Sequence, residues 1–260
     1  MQDTGVLRNT IDQFYTHSEV AAECIAELRK YAIGQWIEPS AGTGSFLVEG
    51  AIGMDIEPKA DGILTQNFLT WQSPYMGCTV YGNPPFGRQS KLARQFIKHA
   101  ATFADIIAFI LPRSFTKPSM QKAFPLKFHL LSELIIRDNA FIVNGKPYNV
   151  PCVFQIWRRR EINRTIEPEL LCPWDYVKKS DDYDVAIRRV GVNAGRCLLP
   201  DDELSAQSHY FVKFPYEFDT DDLIEFMNNH EFPSNTTGPR SLSKFEINCA
   251  LHEYADLIHE

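Results

Sequence analysis

Cys78-Thr79-Val80-Tyr81-Gly82-Asn83-Pro84-Pro85-Phe86-Gly87 is the stretch from which the rest of the chain can be read. Residues 78–81 form a short, β-favouring run of the kind that makes a buried strand. It stops at Gly-Asn-Pro-Pro. Two successive prolines fix two φ angles, remove two N–H donors and keep the residue before them out of helix. The carbonyls of such a loop have no helix or ladder partner and are left to a ligand. An amide side chain, Asn83, precedes the prolines and an aromatic ring, Phe86, follows them. The Asn83 amide oxygen and the Pro84 carbonyl can accept the two protons of an NH2 group, while Phe86 stacks on the flat molecule carrying it. The same residues would also make an ordinary Pro-Pro turn at a strand end, and the flanking chain decides between the two.

Upstream, residues 35–37 read as a strand running into Glu38-Pro39-Ser40-Ala41-Gly42-Thr43-Gly44-Ser45-Phe46. Small residues let the backbone approach a ligand, and the glycines permit positive φ. With a helix expected from about Ser45, this is a strand, glycine loop and helix N-terminus, the cradle of a nucleotide cofactor. The next strand, residues 51–55, ends in Asp55, where dinucleotide-binding folds carry an acid that accepts from ribose hydroxyls. Asp55 follows Gly44 by only 11 residues, against about 20 in the usual fingerprint, so the helix between, residues 46–50, is short. A third strand and its exit loop span residues 63–69. There Asn67 can hydrogen-bond an adenine edge, and Phe68 either packs on that ring or belongs to the core. Nearer the N-terminus, Thr16 and Glu19 read as a capping box, with Tyr15 and Val20 as a hydrophobic staple. Val20, Cys24, Ile25 and Leu28 continue the apolar stripe of that helix to about Tyr31.

Downstream of the Asn83 loop, residues 88–103 read as a helix. Leu92, Phe96, Ala100 and Phe103 share one face; Arg88, Lys91, Arg94 and Lys98 share another. That basic face has no acids for i,i+4 pairing, which suits phosphate contacts; a solvated charged face is the plainer alternative. From Phe86 to Lys127 there are eight basic residues and one acid, Asp105, and Arg113 follows the next strand, residues 105–111. After a helix at 118–124 come strands at 130–136 and 150–157. Joined without a helix, these suggest an antiparallel edge pair closing a parallel sheet. Phe141, in the polar loop 138–149, is either a second stacking surface or a loop aromatic.

At 260 residues and 44% hydrophobic, the chain suffices for one large domain with an appendage. Beyond Trp157 the pattern changes to a basic knot (Arg158, Arg159, Arg160, Arg164), then short alternating strands, a helix near Thr220, a polar loop at 228–241 and a last amphipathic helix. Ser243 and Glu246 cap that helix, with Ile247, Leu251, Tyr254 and Ile258 on its apolar face. The expected division is therefore 1–157 and 158–260. Residues 1–200 carry 23 Lys and Arg against 20 Asp and Glu, whereas residues 201–260 carry 3 against 13. The overall charge of −7 thus hides a slightly basic first 200 residues and an acidic tail. No run of 18 apolar residues is present, so no membrane span is expected, and the N-terminus lacks a signal-peptide pattern. Six scattered cysteines read as reduced thiols of an intracellular, cytoplasmic protein. Pro151-Cys152 matches the nucleophile dipeptide of cytosine methylases, but its distance from Asn83 and its apolar setting favour a core thiol.

Taken in order, Phe14-Tyr15-Thr16, residues 38–46, Gly53-Met54-Asp55-Ile56-Glu57-Pro58 and Asn83-Pro84-Pro85-Phe86 resemble the N6-adenine methyltransferases. These are class I enzymes that use S-adenosylmethionine (SAM), and the order is the γ arrangement of DNA adenine methylases. The resemblance covers about residues 10–157. It implies an α/β fold with a Rossmann-like, mostly parallel sheet and an antiparallel terminal strand, followed by a small C-terminal α+β appendage. It implies that Thr16, Glu38, Ser40, Gly42 and Gly44 line the methionine end of SAM. Asp55 would bind the ribose, Ile56 would lie beside the adenine, and Asn67, Phe68 and Pro85 would complete the cofactor site. Asn83, Pro84 and Phe86 would hold the target adenine, Phe141 would be a second stacking partner, and Arg88, Lys91, Arg94, Lys98 and Arg113 would contact the nucleic acid. His17 stands where the family often has Pro, and Asn67 replaces a more usual Asp.

The implied reaction is methyl transfer to N6 of a flipped adenine in DNA, without a metal or a tuned general base. RNA is the alternative substrate, since ribosomal RNA methylases share the tetrapeptide. A protein glutamine methylase and a non-catalytic SAM-binding subunit are further alternatives, disfavoured by Phe86 and by the intact loops respectively. No membrane partner is expected; a protein partner or self-association could use the C-terminal region.

Overall fold

The run around Val80 forms the middle strand of the main sheet. The computed structural model describes residues 14–143, 145–165, 172–233 and 240–259, and the chain divides into two units, residues 1–166 and 167–260. The strands and helices of the first unit are, in chain order, β1 (Tyr15–Thr16), α1 (Ser18–Leu28), β2 (Trp36–Glu38), β3 (Ile52–Asp55), β4 (Leu64–Thr65), β5 (Cys78–Gly82), α2 (Lys91–Ala100), β6 (Ala104–Pro112), α3 (Pro118–Gln121), β7 (Phe128–Ile135), β8 (Phe141–Val143), β9 (Lys146–Tyr148) and β10 (Cys152–Arg159).

Seven of these strands form one sheet in the order β4-β3-β2-β5-β6-β10-β7. Pairings from β4 to β6 are parallel; β10 runs antiparallel to both β6 and β7. The expected Rossmann-like, mostly parallel sheet is present, in the strand order of the class I methyltransferase fold. The expected antiparallel edge pair is present as β10 and β7. The later strand, β10, inserts between β6 and β7, because its run from Cys152 to Trp157 is buried throughout and needs neighbours on both sides. The one polar residue in that run, Gln155, is fully satisfied. Its Nε2 donates to the Phe115 carbonyl at 3.0 Å and to Glu133 Oε2 at 2.6 Å, and its Oε1 accepts from Trp157 Nε1 at 3.0 Å. Burying such a group without partners would cost about 1–3 kcal/mol.

The sheet reverses its winding between β2 and β5. In doubly wound folds that switch point opens a crevice at the carboxyl ends of the strands. Glu38, Asp55 and Asn83 all lie at those ends. Strand β5 stays rigid there because Cys78 to Gly82 are buried and the Tyr81 hydroxyl donates to the Phe46 carbonyl at 3.0 Å.

Several expectations are corrected. No helix forms between β2 and β3. Residues 41–51 make successive turns, with Gly44 N–H bonded to Ala41 O, Leu47 N–H to Gly44 O and Ala51 N–H to Val48 O. With so few residues between the strands, the chain reverses in turns. The cradle is therefore loop alone, with no helix N-terminus. Thr16 does not cap α1, whose N-cap is His17 with no side-chain cap bond; Thr16 lies in β1, paired with Phe141. Phe141 accordingly sits on a strand of the small sheet β1-β8-β9 and not in an irregular loop. The helix after the Asn83 loop begins at Lys91, because Gln89 and Ser90 take left-handed φ of 53° and 58°.

The first unit extends past Trp157. The Arg164 guanidinium donates to the carbonyls of Gln121, Phe124, Pro125 and Phe128, and Arg159 donates to Ala101 O, Ala104 O and Asp105. Two arginines of the basic knot thus tie the chain back to the first unit.

The second unit contains β11 (Asp175–Val177), β12 (Val185–Arg188), β13 (Cys197–Leu198), β14 (His209–Lys213), α4 (Thr220–Asn229) and α5 (Lys244–His259). Its strands form an antiparallel sheet in the order β11-β14-β12-β13. It has its own core, including Trp174, Val185, Val212, Leu223, Met227, Ile247 and Leu251. The capping box before α5 is present, with Ser243 N and Oγ each 2.8 Å from Glu246 Oε2. Ile258 is exposed, so the apolar face ends at Tyr254.

Among the described residues, no helix is long and apolar enough to cross a membrane. No group of three or more His, Cys, Asp or Glu among them could hold a metal ion. Cys24, Cys78, Cys152 and Cys197 are free, buried thiols.

Candidate functional site

A cavity of about 240 Å³ lies at the switch point. Thr16, Glu38, Ser40, Gly42, Asp55, Ile56, Asn67, Phe68, Asn83 and Pro85 all line it. The structure thus brings together expected residues from five separate stretches of sequence. Gly44 is the expected cofactor residue that does not line the cavity.

Asn83 is held in one orientation. Its Nδ2 donates to the Phe14 carbonyl at 2.9 Å and to Thr16 Oγ1 at 3.0 Å. With both amide protons engaged, Oδ1 is the side chain's remaining hydrogen-bonding atom, and it can only accept. Ser40 Oγ donates to the Asn83 carbonyl at 3.1 Å, fixing the loop to the glycine-rich segment. No donor among the described residues reaches the Pro84 carbonyl. Asn83 lines the cavity, whereas Pro84 is buried beside it and does not line it; an NH2-bearing ligand needs both oxygens as acceptors.

Glu38 is the electrostatic anomaly of the cavity. It is 1% exposed, and its Oε2 has no hydrogen-bond partner. Burial, and secondly the charge of Asp55, push its carboxyl up to about 8. A buried carboxylate without a partner is disfavoured unless a cation joins it. Gly82 makes room for this side chain: a Cβ there would lie 3.1 Å from Glu38 Cγ, at a backbone φ of 132°. Gly42, at a φ of 49°, makes room for a different side chain: a Cβ there would lie 3.1 Å from the Tyr15 ring.

Asp55 lines the cavity and also organises its wall. Its Oδ2 accepts from Gly42 N at 2.8 Å and its Oδ1 from Glu57 N at 2.8 Å, and each oxygen keeps a lone pair for a further donor. Asn67 Oδ1 accepts from Leu69 N at 3.0 Å, capping the helical turn Phe68–Thr70. Its carbonyl oxygen is thus used locally. Phe68 is a core residue, 1% exposed and packed on Phe96 at 5.2 Å, and it also lines the cavity. Ile56, 59% exposed, sits at the mouth.

The stacking residues are arranged differently from expectation. Phe86 is 9% exposed, and its ring stacks on Phe14 at 6.3 Å and 23°. Phe141 is 1% exposed and meets Phe14 edge-on at 6.4 Å. Neither ring lines the cavity; Phe14 does. The reason is β1, whose pairing with β8 brings the Phe14 end of the strand over the Asn83 loop. Phe141 in this arrangement is a core ring beneath Phe14 and presents no free stacking face.

Arg88, Lys91, Arg94 and Lys98 are exposed and line a shallow groove along α2, apart from the cavity. Arg113 follows β6, with its Nε buried and unpartnered among the described residues. It does not line the cavity either. Cys152 is buried and its thiol is pushed strongly upward by burial, as suits a core residue and not a nucleophile.

Phe14, Tyr15, Glu57, Leu92 and Phe96 also line the cavity and were not expected there. For Phe14 and Tyr15 the sequence held a signal, since they adjoin Thr16 in the Phe-Tyr-Thr motif.

No protein-family model matches the chain, and no curated protein matches it. Among solved structures, the chain is similar over part of its length to a Pyrococcus horikoshii protein described as an RNA methyltransferase, at 18% identity and a TM-score of 0.44, covering 57% of this chain and 87% of that one. The 23S rRNA methyltransferase ErmE is similar at 15% identity and a TM-score of 0.42, over 58% of this chain and 71% of ErmE. The M protein of the type I restriction enzyme EcoKI is similar at 16% identity and a TM-score of 0.44, over 58% of this chain and 45% of that protein.

Proposed function

We propose that the chain transfers a methyl group from SAM to the N6 amino group of adenine in DNA. The observation that carries this reading is the Asn83 amide. Both of its protons are held by Phe14 O and Thr16 Oγ1, so Oδ1 is left as an acceptor at the cavity, next to the Pro84 carbonyl, which no described backbone donor engages.

The cavity fits SAM on its own features. Glu38, buried and unpartnered, is a counter-charge for the ammonium of the methionine end, with Thr16, Ser40 and Gly42 around it. Asp55 retains lone pairs for ribose hydroxyls, and Ile56 and Phe68 offer apolar surface to an adenine ring. Bound there, SAM supplies an electrophilic methyl group on a sulfonium sulfur.

The residues of the loop do the rest. An exocyclic amine is a poor nucleophile because its lone pair is conjugated with the ring. Accepting its two protons at Asn83 Oδ1 and the Pro84 carbonyl favours a pyramidal nitrogen with a free lone pair. Both acceptors are fixed in advance, so they reorganise little during the reaction. A base taken out of a duplex loses a few kcal/mol of stacking and pairing, and Phe86 can offset part of this once Phe14 gives way. The uncompensated cations of the α2 groove suit the phosphates on either side.

The test is transfer of labelled methyl from SAM to DNA, RNA and protein, followed by nucleoside analysis, for the native chain and for Asn83→Ala. N6-methyladenine in DNA is the expected product. In Asn83→Ala, transfer should fall by about a thousandfold with SAM affinity nearly unchanged. Full activity in that variant would sink the mechanism. Label in RNA alone would reassign the substrate, and label in protein would reassign the class.

A further inference from the structure

The second unit is acidic, with 19 Asp and Glu against 8 Lys and Arg over residues 167–260. Four of those eight cations nevertheless converge. Lys178, Lys179, Arg189 and Lys244 line one groove of about 410 Å³, with no acidic residue in its walls. They come from three places: the end of β11, the segment after β12 and the first turn of α5. Among the described residues, the unit's ion pairs, Lys213 with Asp182 and Asp184 and His230 with Glu253, involve none of them.

Three of the cations are held by uncharged groups, so their charge stays uncompensated. Arg189 lies 5.4 Å from the centre of the Tyr210 ring and donates through Nε and Nη2 to the Gln207 carbonyl. Lys244 Nζ lies 4.1 Å over the Tyr176 ring, whose hydroxyl is anchored on Asn248 Oδ1 at 2.7 Å. Lys179 Nζ donates to the Asp202 carbonyl.

A second, independent feature belongs to the same groove. His209 lines it and is 6% exposed, and its buried Nε2 has no hydrogen-bond partner among the described residues. Its Nδ1 is 3.0 Å from Ser208 Oγ and 3.1 Å from the Ser205 carbonyl. The Ser205 carbonyl can only accept, so Nδ1 carries the ring proton and Nε2 is left as a buried acceptor facing the groove without a donor. The surrounding cations would supply the counter-charge for phosphate oxygens entering the groove.

We infer that this groove binds the backbone phosphates of a nucleic-acid strand. Four cations spread around one histidine exceed what a single phosphate needs and suit successive phosphates along a strand. That the polyanion is a nucleic acid rests on the activity proposed for the first unit.

The experiment uses the full chain and fluorescence anisotropy with labelled single-stranded and duplex DNA over a salt series. Lys178→Gln/Lys244→Gln removes two exposed cations without touching the core. It should weaken binding about tenfold at low salt and flatten the slope of log K against log salt by about one to two. Arg189→Gln, made separately, should act in the same direction. Unchanged affinity and slope in both variants would overturn the inference, as would absence of binding by the native chain. Displacement of the strand by inorganic phosphate at an equal concentration of phosphate groups would mark an isolated-phosphate site and also overturn it. Methyl transfer from SAM is measured on the same preparations, so a failure of the proposed activity is read separately from a failure of groove binding.

Discussion

At the scale of single residues, Glu38 is where folding and function pull apart. A carboxyl at 1% exposure with an unpartnered oxygen adds nothing to the core it sits in. Its pKa in the fold, about 8, lies above the ordinary 4.5, so the folded chain keeps a proton that the unfolded chain releases between those values. The stability linked to that proton is fully present below pH 4.5 and is lost as pH rises through about 8, at up to about 1.4 kcal/mol per unit. In thermal melts of the ligand-free protein from pH 5 to pH 8.5, the native chain should therefore lose more stability with rising pH than Glu38→Gln. At the upper end the variant should be more stable by a few kcal/mol. SAM affinity should behave the other way. It should rise in the native chain as Glu38 ionises toward pH 8, and be lower and flatter in Glu38→Gln. Parallel melting profiles for the two proteins would remove Glu38 as the source. This residue was legible in the sequence only as the acid before a glycine loop. Its isolation was not, because it depends on Gly82, from a stretch more than forty residues away, leaving room for it.

At the scale of elements, the two-residue strand β1 matters more than its length suggests. By pairing with β8 it delivers two acceptors, the Phe14 carbonyl and Thr16 Oγ1, to the Asn83 amide. The sequence showed Thr16 and Glu19 at capping-box spacing, and the spacing is real. Strand pairing won the competition for Thr16, and Glu19 pairs with Arg137 at 2.7 Å instead. A local motif cannot announce a rival partner that is distant in sequence, and Asn83 lies 67 residues beyond Thr16. The glycine loop shows the same limit. Its small residues and the acids around it were readable, but the absence of a helix after it follows from three-dimensional reversals between two closely spaced parallel strands. Thr16→Val keeps the shape and removes one acceptor, a hydrogen bond worth about 0.5–1.5 kcal/mol. Since that bond orients the amide, kcat should fall about tenfold while the KM for SAM changes little, and Thr16→Ser should restore most of the loss. A raised KM with unchanged kcat would instead assign the hydroxyl to the cofactor alone.

At the scale of the molecule, the chain contains two separate hydrophobic cores. One is built around β5, β6 and β10 and holds Val80, Phe109, Phe154 and Trp157; the other is built around β12, β14, α4 and α5 and holds Val185, Val212, Leu223 and Ile247. The change of pattern after Trp157 made the second unit legible as a β-rich appendage with terminal helices. Its boundary was harder to read, because Arg159 and Arg164 look like solvated charge in sequence and act as ties to main-chain carbonyls in the fold. Every residue assigned to the SAM cavity belongs to the first unit. A ligand that binds only the folded first unit stabilises that unit by RT ln(1 + [L]/Kd), about 2.7 kcal/mol at a hundredfold excess over Kd. Calorimetry of the full chain should then show two transitions, with SAM moving one upward by several degrees and leaving the other where it was. The unmoved transition should match that of residues 167–260 expressed alone. A single transition displaced as a whole, or a C-terminal piece that does not fold, would show instead that the two cores depend on each other.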